Sequence, residues 1–187
     1  RQLRLENRSQ PKAYFQGLNH LLNEQQDQAI DAFIQAVQQD PDTSELHFAL
    51  GNLFRRRGDF ERAIRVHEHL LARADLSNED RYRARHALAL DFLKAGLLDR
   101  AEENLRQLTD TPLAGQALLA LLSIYERSRD WAHAGEVAQL LGRQGEARFE
   151  VRLAHYLCEQ AASLPQDQWH EKQALLERAC AVAPRSA

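Results

Sequence analysis

The side chains best suited to chemistry in this sequence are a few histidines and cysteines at short spacings. His67 and His69 stand two residues apart in a predicted helix, so they point about 200° apart around its axis and do not chelate one metal ion. His155 and Cys158 are three apart and share a helix face, which is the spacing of a base and a nucleophile. Neither an orienting group nor a Gly-rich oxyanion turn accompanies them, so no catalytic site is expected here.

Sequence motifs of nucleotide-binding, hydrolytic and metalloprotease sites are absent. The chain contains no G-x-x-x-x-G-K-[ST], G-x-G-x-x-G, G-x-S-x-G or H-E-x-x-H. Cys158 and Cys180 form no C-x-x-C pair, so they predict no zinc site, and the simplest interpretation is two buried thiols in a reducing compartment. The sequence therefore predicts a protein that is not an enzyme and that holds no cofactor in this stretch.

The composition limits the classes of partner. The 187 residues carry 24 Lys and Arg against 27 Asp and Glu, and this near-balance argues against nucleic acid or an anionic membrane as the main partner. Only 8 Gly and 5 Pro interrupt the chain, which favours helices. No apolar run reaches the roughly 18 residues of a membrane span. Since the first residue is Arg1 rather than Met, we expect a fragment of a longer protein.

The elements that position these side chains repeat along the chain. Ala29, Ala63, Ala101 and Ala134 are separated by 34, 38 and 33 residues, and aromatic residues recur ahead of them. A period near 34 residues with this pattern of small and aromatic side chains is typical of the tetratricopeptide repeat. The residues predicted to pack the repeats are Gly17, Ala29, Phe33, Gly51, Phe54, Ala63, Phe92, Ala101, Tyr125 and Ala134.

The period predicts an all-α solenoid of five helix-turn-helix units in a right-handed superhelix, with about ten helices in a single array over 1–187. Turn residues at 56–59, 94–99 and 127–130 join the two helices of a unit. Ser44 and Ser77 are predicted helix N-caps. His67 takes a position where the repeat consensus has Phe, so its ring is expected to be half-buried. The units cover 10–43, 44–77, 82–115, 115–148 and 149–187.

Stacked first helices of such units form a concave groove, whose middle is more basic here than the whole chain. The predicted groove favours an acidic or carboxylate-bearing peptide. The alternative is that these charges are ordinary solvated helix residues. Chaperone-binding repeats hold a C-terminal carboxylate with a clamp of Lys, Asn and Arg side chains. In this sequence only Asn52 matches a residue of that clamp. The candidate partner-binding residues are Asn52, Arg55, Arg56, Arg83, His86, Lys94 and Arg127.

Longer segments resemble one bacterial family. The segment over 15–71, which includes "GNLFRRRG" and "RAIRVH", and then "LSNEDR", "AGLLDRAE" and "LAHYLCE" together resemble the lipopolysaccharide assembly protein B family of Gram-negative bacteria. The resemblance covers nearly the whole chain. It implies the cytoplasmic repeat region of a protein with an N-terminal membrane anchor and a C-terminal rubredoxin-type zinc module, both outside this sequence. Zinc or iron is accordingly expected only in that missing module.

The same resemblance implies an adaptor at the cytoplasmic face of the inner membrane. Its protein partners would be the deacetylase of lipid A synthesis, a membrane-bound AAA+ protease that degrades it, and an inner-membrane sensor. The alternative is a generic repeat scaffold of an envelope or pilus assembly complex. Pairing of two copies through end repeats is compatible with either function.

Overall fold

A computed structural model describes Gln28, Ala32 and residues 44–143 and 148–183. These residues form helices and no strand, so the all-α prediction is confirmed for them. The first predicted unit, with Gly17, Ala29 and Phe33, lies outside the described residues except for Gln28 and Ala32. The eight helices of the described chain are α1 (Ser44–Arg57), α2 (Phe60–Leu71), α3 (Asn78–Ala95), α4 (Leu98–Arg106), α5 (Ala114–Ser128), α6 (Trp131–Gly142), α7 (Arg148–Ser163) and α8 (Trp169–Val182).

The helices belong to two compact bodies, divided between Asn104 and Leu105. In the N-terminal body, α2 packs against both α1 and α3. In the C-terminal body, α6 packs against α5 and α7, and α7 packs against α8. Each body therefore has the order of a repeat array, in which a helix packs on the helices before and after it.

Three turns that join paired helices close with the same two hydrogen bonds. After α1, the amides of Gly58 and Asp59 donate to carbonyls three and five residues earlier, and the turns after α3 and α5 repeat this pattern. Gly58 and Gly96 have φ of 89° and 78°, in the left-handed region that glycine enters without strain. The third turn places Arg129 there, with φ of 56°.

The small residues of the repeat lie where neighbouring helices approach. Ala63, Ala101 and Ala134 are fully buried, and Gly51 is buried within α1. The aromatic repeat residues Phe54, Phe92 and Tyr125 are each buried in their own body. This burial leaves the polar faces of the helices as the surface on which a partner can dock.

Two local predictions need correction. Ser77 does cap α3, accepting a hydrogen bond from the Asp80 amide at 3.1 Å, but Ser44 is the first residue of α1 and its hydroxyl donates to the Asp80 carboxylate at 3.2 Å. The prediction of buried cysteines is wrong, because Cys158 and Cys180 are both exposed. Each stands one position after a buried residue on its helix, and one position turns a side chain about 100° around the axis.

Candidate partner-binding surface

Helices α1 and α3 lie side by side in the N-terminal body and run in the same direction. Near their first turns, Arg83 Nη1 donates to Glu45 Oε1 at 2.7 Å. Toward their ends, Arg55 Nη1 donates to Asp91 Oδ1 at 2.9 Å. These ion pairs near both ends of the helices join the two helices into one continuous surface. The surface, called here the α1–α3 surface, carries Glu45, Asn52, Arg55, Arg56, Arg83, His86 and Lys94.

Arg55 is held by neighbours within this surface. In addition to its bond to Asp91, Arg55 Nη1 donates to the Ala87 carbonyl at 3.0 Å. Arg55 Nη2 donates to the side-chain oxygen of Asn52. Only 18% of its side chain is exposed. Its guanidinium thus joins two helices, and little of its donor capacity faces solvent.

Asp91, the partner of Arg55, belongs to a buried polar cluster. Its second carboxylate oxygen lies 2.5 Å from Nδ1 of His67, and both side chains are fully inaccessible to solvent. The His67 ring packs against Phe48 and directly over Gly51, where a methyl group on the glycine would overlap the imidazole. His67 Nε2 makes no hydrogen bond to any described residue. His67 is therefore more deeply buried than the predicted half-buried ring.

Arg83 is also engaged, although 42% of its side chain is exposed. It bonds Glu45 through both terminal nitrogens, contacts Asp80 at 3.1 Å, and stacks 4.4 Å from the centre of the Phe48 ring. The hydrogen bond to Glu45 is the largest effect that raises the pKa of the Arg83 guanidinium. Arg83 is thus fixed in place while one edge stays accessible.

Arg56, Lys94 and His86 have no such partners. Arg56 and Lys94 are exposed and form no ion pair with any residue that the structure describes. His86 is half-buried and makes no hydrogen bond within the described chain. Burial, and secondly the charge of Arg55, lower the pKa of His86 below its ordinary value of 6.5. Within the described part of the surface, the ionisable side chains without a protein partner are therefore two cations and one imidazole.

The C-terminal body carries a different polar cluster between α5 and α7. Arg152 donates to Glu126 at 2.5 Å and to the Tyr156 hydroxyl at 3.0 Å, and that hydroxyl donates to Glu126. Burial first, and then the hydrogen bond to Glu126, raise the pKa of Tyr156 to about 12. Arg127, the candidate residue of this body, is exposed and has no ion-pair partner among the described residues.

The C-terminal body contains a cleft that the sequence did not predict. It has a volume of about 900 Å³ and lies between the start of α6, the end of α7 and α8. Trp131, Leu164 and Leu175 contribute apolar surface, while Glu171 and Arg178 contribute opposite charges. These residues come from α6, from α8 and from the loop that follows α7, at unrelated spacings, so no sequence pattern would have indicated the cleft.

The histidine and cysteine arrangements do not assemble a site among the described residues. His67 is buried against Asp91, whereas the exposed His69 stacks on His47 at 5.6 Å. His155 meets the ring of Trp131 edge-on rather than the thiol of Cys158. Across 44–143 and 148–183, no three His, Cys, Asp or Glu side chains converge as metal ligands, and no helix is both long and apolar enough to span a bilayer.

Comparisons with known proteins agree with this architecture. A family profile described as tetratricopeptide repeat matches residues 46–82. The solved structure of MamA superposes with a TM-score of 0.64 at 15% identity, over 92% of this chain and 91% of that one. YrrB, described as a tetratricopeptide repeat protein with an unusual peptide-binding site, superposes with a TM-score of 0.59 at 13% identity, over 90% and 84%. The chain has the tetratricopeptide repeat fold. At these identities the solved structures establish the fold alone.

The resemblance to one bacterial family is confirmed by sequence. The repeat chain is 41% identical over 176 residues to lipopolysaccharide assembly protein B of Escherichia coli (strain K12), covering 93% of the chain. It is 34% identical over 180 residues to the protein of the same name from Haemophilus influenzae, covering 91% of the chain. The chain spans just under half of each relative, 45% and 46% of their lengths.

Proposed function

We propose that the chain is a non-enzymatic adaptor of lipopolysaccharide biosynthesis that binds proteins through its repeat helices. The observation that carries the proposal is the 41% identity, over 93% of the chain, to a protein named for lipopolysaccharide assembly. The tetratricopeptide fold supports it, since stacked helices present extended surfaces to protein partners. The proposed role needs no cofactor in this stretch of the chain.

The family resemblance supplies the partners in this proposal. The adaptor holds the deacetylase of lipid A synthesis close to a membrane-bound AAA+ protease, so that proteolysis sets the amount of deacetylase. An inner-membrane sensor restrains this degradation. The complex forms at the cytoplasmic face of the inner membrane, to which an anchor outside this sequence attaches it. A homodimer of the chain is compatible with this role.

The α1–α3 surface is the proposed contact for an acidic segment of a partner. Arg56 and Lys94 supply cations that no described residue neutralises. Arg55 and Arg83 are bound to Asp91 and Glu45, so their main effect is to hold the two helices in register beneath those cations. Desolvated, charge-assisted contacts to a carboxylate cost roughly 2–5 kcal/mol when one partner is truncated, whereas exposed rim charges mainly affect association rates.

Affinity purification tests the identity of the partners. The full-length protein that contains this chain would be tagged in its own cells, cross-linked before lysis and analysed by mass spectrometry. The adaptor predicts enrichment of the deacetylase and the AAA+ protease over a tagged, unrelated repeat protein. Recovery of envelope or pilus assembly proteins, without either enzyme, would instead establish the generic scaffold.

A further inference from the structure

His86 occupies a distinct position on the α1–α3 surface. It is half-buried on α3, where the helix packs beside α1, and no described residue accepts or donates a hydrogen bond to its ring. The exposed His69, by contrast, stacks on His47. A half-buried imidazole without a partner leaves polar atoms that a ligand can satisfy.

The charged groups around His86 are of both signs, and only the cations Arg56 and Lys94 have no ion-pair partner among the described residues of this surface. From α1, Arg55 acts on His86 directly, and its charge is balanced by Asp91. On α2, the buried His67 bonds the other carboxylate oxygen of Asp91. On α3 itself, Arg83 stands one turn before His86 and is paired with both Glu45 and Asp80. Lys94 stands about two turns after His86 and has no ion-pair partner among the described residues. An anion on this surface is thus favoured over a cation.

We propose that His86 forms a carboxylate-binding subsite of the α1–α3 surface and takes up a proton together with its ligand. In the free protein the ring is neutral near pH 7, because burial and Arg55 disfavour the imidazolium. A partner carboxylate beside the ring reverses this preference, since an opposite charge within hydrogen-bond reach stabilises the protonated form. The ring then donates a charge-assisted hydrogen bond to the carboxylate. This subsite rests on the proposed function, because it extends the same surface.

Proton uptake makes the affinity depend on pH with a definite sign. Binding raises the pKa of His86, so the added affinity is complete below the pKa of the free protein. It is lost as the pH rises through the pKa of the complex. Between those two values the affinity changes by up to about tenfold per pH unit. Acidic segments should therefore bind more tightly in mildly acidic solution.

The test is a binding titration with a defined probe. A peptide of alternating Glu and Ser, labelled with tetramethylrhodamine, is titrated with the chain at pH 6 and pH 8 at constant ionic strength. Glu carboxylates stay ionised across this range, so the pH dependence arises from the protein. The variant His86→Gln removes the titrating ring, and His69→Gln is the matched control on α2. Arg56→Glu with Lys94→Glu tests the surface independently.

We expect the unmodified chain and His69→Gln to bind at least about fivefold more tightly at pH 6 than at pH 8, and His86→Gln to lose this difference. The subsite would be overturned if His86→Gln kept the pH dependence of the unmodified chain. If the Arg56 and Lys94 reversals abolished binding in the same experiment, the proposed surface would still stand. Binding that is absent, or indifferent to all these substitutions, would contradict both the subsite and the surface.

Discussion

The guanidinium of Arg55 lies 2.9 Å from the carboxylate of Asp91, which is completely buried. This contact joins Arg55, near the end of α1, to a buried residue of α3. Asp91 also bonds His67 of α2. Three helices of the N-terminal body therefore converge on one carboxylate. Because a buried charge is tolerated only when it is paired and hydrogen-bonded, the three side chains depend on one another.

Replacement of Asp91 should destabilise the N-terminal body strongly. Asp91→Asn leaves Arg55 without its counter-charge and weakens the bond to His67, and breaking a buried pair in this way costs about 3–5 kcal/mol. Glu68→Gln is the matched control, since Glu68 pairs with Arg100 at 2.9 Å on the exposed surface and should lose under about 1 kcal/mol. Hydrogen exchange of α1 and α3 amides measures the difference. Equal protection in both variants would show that the cluster is not a stabilising contact.

Gly51 should not tolerate a methyl group. Gly51→Ala places a methyl group into the imidazole of His67, which is fully buried and held by Asp91, so we expect a loss of about 1–3 kcal/mol. Gly115→Ala is the control, because a methyl group there meets no atom within 4 Å. Thermal unfolding followed by circular dichroism compares them. A Gly51→Ala protein as stable as the Gly115→Ala protein would contradict the packing described here.

Replacement of Arg129 by glycine should stabilise the folded protein. It holds the left-handed conformation with φ of 56° at the end of α5, where the equivalent turn after α3 has Gly96. Glycine removes the strain of the left-handed conformation, while it also makes the unfolded chain more flexible. We expect the first effect to be larger, so that Arg129→Gly is more stable by about 0.5–1 kcal/mol. Gly96→Ala should lose stability for the converse reason. Urea unfolding measures both, and a destabilised Arg129→Gly would mean that the arginine side chain contributes more than its backbone costs.

The C-terminal body should lose stability in acid through Glu126. Burial alone would raise its pKa, but hydrogen bonds from Tyr156 and Arg152 lower it below the ordinary 4.5. A lowered pKa contributes stability above the unfolded value, and this stability disappears as the pH falls through the folded value. Glu126→Gln should therefore flatten the decline in stability below about pH 4.5, whereas Glu136→Gln, on the exposed face of α6, should leave it unchanged.

Tryptophan fluorescence provides the readout for that comparison. Trp131 and Trp169 are the two tryptophans of the sequence, and both lie in the C-terminal body. Trp131 stacks on Tyr156 at 6.0 Å, so its emission responds directly to loss of the Glu126 cluster. A decline with the same slope in Glu126→Gln and the unmodified chain would show that other groups govern acid unfolding.

The sequence predicted the helices and their turns because those depend on local patterns. Small residues at a period near 34 and glycines such as Gly58 and Gly96 are visible without coordinates, and the structure has turns at both glycines. The cluster of His67 and Asp91 was not predictable, since the two residues are 24 apart and no local pattern links them. Cys158 was predicted to be buried and is exposed, because a shift of one residue turns a side chain by about 100° and Leu157 takes the buried position.

The candidate surface was predicted in outline but not in its division of roles. Repeat spacing predicted that Arg55, Arg56 and Arg83 lie on neighbouring helices, and α1 does contact α3. Their role in binding a partner stays a prediction. Spacing does not reveal that Arg55 reaches Asp91 or that Arg83 reaches Glu45, because these partners come from the neighbouring helix. The free cations are distinguished from the paired ones only by tertiary contacts.

The central claim is that Arg56 and Lys94 contact the partner. The most direct measurement is the affinity of the purified deacetylase for the folded chain with Arg56→Glu and Lys94→Glu. A second variant, Arg65→Glu with Lys172→Glu, changes the net charge equally at residues of α2 and α8. The account predicts that the first pair weakens binding at least about thirtyfold, equivalent to roughly 2 kcal/mol, while the second leaves affinity within about twofold. Equal affinity of both double variants and the unmodified chain would contradict it.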